Sequence, residues 1–193
     1  MYAPMHILYA GIAEISMEKY FVTCEFVPDR DALLGSLSLD TDSEEAEDFV
    51  ALLEKTAPLV QPKAAYMQVP VDTDHDAGRV MAGGVEFRSR VLAGNIKGQT
   101  MVWPHVATCG REIYDYAMAM PDPVERFWVD EIMQAGLTQA RAELLRDIDS
   151  RFSPGKVAAM GPGSLVEWPI GQQVPLFRLL ADGVAFCGIE LTD

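Results

Sequence analysis

Arginine followed by irregular Ser-Pro-Gly backbone can bind an anion, and this chain carries that arrangement at Arg151-Phe152-Ser153-Pro154-Gly155-Lys156. The guanidinium is a planar cationic fork suited to a carboxylate or phosphate. Ser153, Pro154 and Gly155 lie in a loop whose amide and carbonyl groups are free for a ligand. Glu143 stands eight residues earlier, which on a helix is about 80° past two full turns. An Arg–Glu couple of that kind suits a zwitterion, the Arg taking a carboxylate and the Glu an ammonium. The competing reading of Arg151 is a cation that satisfies the negative end of a helix dipole.

The other chemistry-bearing residues give weaker patterns. Cys109 precedes an expected helix N-terminus, a position that lowers a thiol pKa, but no sequence neighbour supplies a base. His6, His75 and His105 form neither HxH nor HxxxH, and Cys24, Cys109 and Cys187 form no CxxC pair, so these residues read as structural rather than metal-binding. Ser164 lacks the GxSxG context of a nucleophile elbow. Gly161-Pro162-Gly163 is not a dinucleotide fingerprint. The acids of Asp72–Gly78 do not place Gly sixth and Glu twelfth as a calcium loop requires, and read as a polar hairpin turn.

The elements that must position Arg151 are read from periodicity. A long helix starts at Pro123 after the Asp122 cap and carries Phe127, Trp128, Ile132, Met133, Leu137, Ala140, Leu144, Leu145 and Ile148 at helical spacing. Arg151 ends it. The remainder, to Asp193, reads as a loop, one short helix and a final strand. Upstream, Met17–Val27 reads as a strand and Pro28–Asp42 as irregular. Ser43 caps a helix that closes at Pro58. Lys63–Val71 reads as an edge strand or strand end because of Pro70. Arg79–Met81 and Val85–Phe87 continue the sheet around Gly83-Gly84, and a short helix starts near Ser89. Gln99–Thr108 reads as a central strand bent at Pro104, and a helix follows from Arg111 to about Met120. Strands and helices without regular βαβ alternation indicate an α+β fold, a twisted, mainly antiparallel sheet with flanking helices.

At 193 residues, with 49% hydrophobic and 23% charged residues, the composition is that of one globular domain. The formal charge of −14 disfavours nucleic acid and anionic membranes as partners. The N-terminal MYAPMHILYAGIAEISMEKY lacks a basic n-region and meets Glu14 early, so it reads as neither a signal peptide nor a membrane span. Three scattered cysteines fit a cytoplasmic location.

Four stretches, in order, carry a family resemblance. They are LLEKTAPLVQPKAAYMQVPVD from Leu52, VEFRSRVLAGNIKGQTMVWPHVATCGREI from Val85, FWVDEIMQAGLTQARAELLRDI from Phe127, and the whole of Arg151–Asp193 with its Arg-x-x-Pro-Gly loop, Trp-Pro turn, Leu-Phe-x-Leu-Leu helix and closing Gly-x-x-Leu-Thr-acid. Together, over about Glu44–Asp193, the chain resembles the activation (reactivation) domain of vitamin B12-dependent methionine synthase and the small stand-alone proteins related to it. The resemblance implies that fold and an S-adenosylmethionine site in the loop. Arg151 would take the ligand's carboxylate, the backbone of Ser153, Pro154 and Gly155 the adenosyl part, and Glu143 the acidic partner role. Lys156, where the family carries a tyrosine, and Trp168 would face the corrin. It further implies a cobalamin supplied by a separate corrinoid methyltransferase, and a flavodoxin- or ferredoxin-like reductant. The chain has no corrin- or folate-binding domain, so the expected role is an accessory one, not that of a complete methionine synthase. The alternative implied by Lys156, and by a chain that stops at Asp193, is a corrinoid-protein binding module or chaperone without S-adenosylmethionine binding.

Overall fold

The computed structural model describes residues 17–164 and 167–191. The first 16 residues of the N-terminal segment weighed above as leader or membrane span lie outside the described residues. The strands are β1 (Lys19–Thr23), β2 (Lys63–Met67), β3 (Val69–Asp74), β4 (Arg79–Ala82), β5 (Val85–Arg88), β6 (Met101–Val102) and β7 (His105–Thr108). The helices are α1 (Arg30–Leu37), α2 (Glu44–Thr56), α3 (Arg90–Asn95), α4 (Arg111–Ala119), α5 (Pro123–Phe152), α6 (Gln173–Leu179) and α7 (Ala181–Cys187). The α+β class expected from the sequence is the class observed, with every strand pairing among the described residues antiparallel.

The strands form two sheets, ordered β1-β2-β7 and β5-β4-β3-β6. One ribbon joins them. Tyr66 faces His105 in the first sheet and Val69 faces Val102 in the second, with the register unchanged across the break at Gln68. The Met67 amide donates to the Pro104 carbonyl at 3.2 Å and bridges that break. The sequence reading of Gln99–Thr108 as one central strand is therefore corrected: Trp103-Pro104 divides it into β6 and β7, each at a sheet edge. Lys63–Val71 is likewise two strands, and both are interior. Pro70 is tolerated there because its partners need only its carbonyl, which accepts from the Gly83 amide at 3.1 Å.

Helix boundaries follow local signals. Ser43 caps α2 through the Ala46 amide, Ser89 caps α3 through Leu92, and Asp122 caps α5 through Val124 and Glu125. Pro28–Asp42, read as irregular, contains α1, which Asp29 caps through the Ala32 amide. The final strand expected near Asp193 is replaced by α7, ended by Gly188 in the left-handed conformation. Gly183 explains that helix: a Cβ there would lie 2.7 Å from the Ala65 Cβ, so only glycine lets α7 approach the sheet this closely.

The core has three parts. The first half of α5 packs with α1, α2 and α4 around Phe49, Ile113, Val129 and Ile132. Its second half lays Leu144 and Ile148 on Ala64 and Tyr66 of β2. On the opposite sheet face, Ala65, Met67 and Val106 meet Leu180 and Cys187. Phe127 and Leu145, expected in the apolar stripe of α5, are instead 54% and 45% exposed.

Candidate functional site

β2 alternates its side chains between the two faces of its sheet. Tyr66 therefore points toward α5, in a cross-strand row with Tyr20 on β1 and His105 on β7. Its phenol is buried and needs an acceptor, which α5 supplies: Asp147 Oδ2 receives the Tyr66 hydroxyl at 2.6 Å. The same oxygen receives Arg151 Nε at 2.8 Å, the two residues being one helical turn apart. The Arg151 guanidinium lies 4.8 Å from the Tyr20 ring centroid. Tyr20 stacks on Tyr66 at 4.8 Å and 17°. Phe152, the last residue of α5, meets Tyr20 edge-on at 5.6 Å and Trp103 at 5.9 Å.

These contacts set the charge states. Burial raises the Asp147 pKa, but the hydrogen bonds from Arg151 and Tyr66 outweigh it and hold the carboxyl below its usual range. Burial, followed by the bond to Asp147, pushes the Tyr66 phenol well up. The hydrogen bond to Glu18, followed by burial, raises Tyr20. Asp147 in turn keeps Arg151 firmly protonated. Burial lowers His105, whose Nδ1 lies 3.2 Å from the Trp103 carbonyl; Nδ1 carries the proton in the neutral tautomer that donates to this acceptor. The Trp103 indole Nε1 is buried without a hydrogen-bond partner among the described residues.

Beyond Phe152 the chain turns sharply. Ser153 takes φ 44° and caps α5 by donating its amide to the Asp149 carbonyl at 2.9 Å. Gly155 follows at φ 77°, a conformation that a side chain would strain. Ser153, Pro154 and Gly155 thus follow Arg151 directly at the end of α5, while the Arg151 side chain reaches back one turn to Asp147. Glu143 is not part of that group: its carboxylate pairs with Arg146, and Asp147 holds the place beside Arg151. Lys156 is exposed. Trp168 is 6% exposed, packed in the core beneath the second sheet face, with its indole Nε1 unpartnered among the described residues. Sequence reading missed Tyr20, Tyr66 and Asp147. Only Asp147 had a local signal, its spacing of four from Arg151.

Cys109 is the structural residue expected from the sequence, and its place before a helix does not lower its pKa. Burial raises its thiol pKa, and it serves as core beside the α2–α5 contact rather than as a thiolate. No group of three His, Cys, Asp or Glu among the described residues is placed to hold a metal ion. No described helix is long and apolar enough to cross a membrane.

A cleft of about 420 Å³ opens away from Arg151, between Phe26–Ser36 and the Glu131–Ala142 portion of α5. Gln139 forms its wall, donating to the Glu25 carbonyl at 2.6 Å and accepting from the Val27 amide at 3.2 Å.

No protein-family model matches this chain, and no curated protein matches it.

Proposed function

We propose that this chain is an S-adenosylmethionine-binding protein of the reactivation type, supporting reductive methylation of the cobalamin of a separate corrinoid methyltransferase such as methionine synthase. The observation that supports this reading is the open edge of Arg151. Its Nε is engaged by Asp147 and its face by the Tyr20 ring, while its two terminal nitrogens have no hydrogen-bond partner among the described residues. A half-exposed, oriented guanidinium fits a ligand that carries a carboxylate at one end. The chain supplies binding and positioning, and the partner's corrinoid supplies the methyl-transfer chemistry. A flavodoxin- or ferredoxin-like protein is the proposed source of electrons.

Calorimetric titration with S-adenosylmethionine tests the reading. Binding by the full chain that weakens at least tenfold in Arg151→Ala is the expected result. No heat of binding from the intact chain overturns it.

A second reading is favoured by the position of the cleft. The cleft lies along the middle of α5, which suits a module that binds a corrinoid protein without S-adenosylmethionine. Titration with a purified cobalamin-binding domain, with and without S-adenosylmethionine, separates the two. Affinity for the domain that is indifferent to S-adenosylmethionine supports the second reading.

A further inference from the structure

We infer that Tyr66, Asp147 and Tyr20 are positioning residues that make Arg151 an end-on fork for a single carboxylate, an inference that rests on the ligand reading above. A guanidinium offers an anion two useful edges: the side edge of Nε with one terminal nitrogen, and the end edge of the two terminal nitrogens. Asp147 occupies the side edge by accepting from Nε at 2.8 Å. The end edge carries no partner among the described residues.

Three contacts keep it so. Asp147 is anchored because the same oxygen accepts from the Tyr66 hydroxyl at 2.6 Å. Tyr66 is 1% exposed and stacked against Tyr20, so it cannot follow Asp147 if that side chain swings away. Tyr20 supports the guanidinium face at 4.8 Å. A ligand that sought the side edge would have to break the Nε bond and approach the Asp147 carboxylate.

The same arrangement sets the ligand class. Asp147 and Arg151 together carry no net charge, so extra negative charge on a ligand gains little attraction. Glu18, which accepts from the Tyr20 hydroxyl at 2.8 Å, adds repulsion nearby. What remains is directional: two parallel N–H groups matched to two oxygens of one anion, and with no net charge to draw in a dianion the pair favours a monoanionic carboxylate over a phosphate dianion. Lysine could not substitute, since its point charge lacks the second fork edge.

The test is nitrogen NMR of the arginine side chains in the full chain, with Arg151 assigned from Arg151→Lys, titrated separately with S-adenosylmethionine, acetate and inorganic phosphate. The terminal nitrogens of Arg151 should shift with S-adenosylmethionine and with acetate at lower concentration than with phosphate, while Nε stays in place. Tyr66→Phe and Asp147→Asn should each weaken carboxylate binding about tenfold, the loss of one hydrogen bond to a charged group. Asp147→Glu should recover part of it, which a merely structural role would not produce. A phosphate response at equal or lower concentration, a shift of Nε, or unchanged affinity in both Tyr66→Phe and Asp147→Asn overturns the inference. An acetate response without an S-adenosylmethionine response keeps the end-on fork and rejects the ligand reading. No response to any of the three anions overturns both.

Discussion

The two faces of β2 make opposite use of one short strand. Ala65 and Met67 point into a tight apolar contact in which Gly183 lets α7 touch the sheet. Ala64 and Tyr66 point beneath α5, where a buried phenol, a carboxylate and a guanidinium form a hydrogen-bonded chain open to solvent at its far end. The first face contributes stability through close packing. The second buries a polar hydroxyl, at no net loss because Asp147 satisfies it, and contributes orientation.

Overfilling the apolar face should have the largest effect. Gly183→Val places side-chain atoms where Ala65 already stands, and should cost about 3 kcal/mol or more, read as a lowered midpoint in denaturant unfolding. A midpoint unchanged from wild type would break the contrast, because the face would then have room to spare.

Tyr66→Phe should cost less, about 1–2 kcal/mol, because it removes one hydrogen bond but keeps the ring in its stack. If the cost matched that of Gly183→Val, the polar face would be as much a packing device as the apolar one.

Acid should then act on the polar face. His105 has a folded pKa below its unfolded value of about 6.5, so its contribution is present above that pH and is lost as pH falls through the window beneath it. Asp147 has a depressed folded pKa, so its contribution is present above the ordinary carboxyl value of about 3.9 and is lost as pH falls through the lower folded value. Unfolding free energy measured from pH 8 downward should therefore decline first below about 6.5. His105→Gln should flatten that first decline, and Asp147→Asn the later one.

Arg151→Ala should change stability least, since its side chain is half exposed and its ion pair is surface-screened. A thermal midpoint close to wild type, together with lost ligand binding, would sharpen the division between the stabilising face and the recognising one.

How much of this was legible in the sequence depended on range. Ser43, Ser89 and Asp122 announced their helices because a cap acts on amides two or three residues away. Arg151 and its Ser-Pro-Gly turn stood out for the same reason. Asp29 was overlooked as a cap, and α1 with it, because Pro28 and the acids around it resemble a loop. α7 read as a strand because Val184, Phe186 and Gly183 are poor helix formers. The tight approach to Ala65, which only the fold reveals, accounts for that glycine. Tyr66 and Asp147 are 81 residues apart, so no local pattern could join them. Glu143 had a plausible angle on the helix, but Arg146 lies three residues away and takes its carboxylate.

The break at Gln68 has one more consequence. Because the pairing of residues 63–70 with 101–108 keeps one register on both sides of it, the two sheets share a single ruler. Adding or deleting one residue at Gln68 would shift that ruler for whichever sheet lay beyond it, turning its inward side chains outward. Chain length at this step is therefore fixed from two directions at once, which no single sheet would impose.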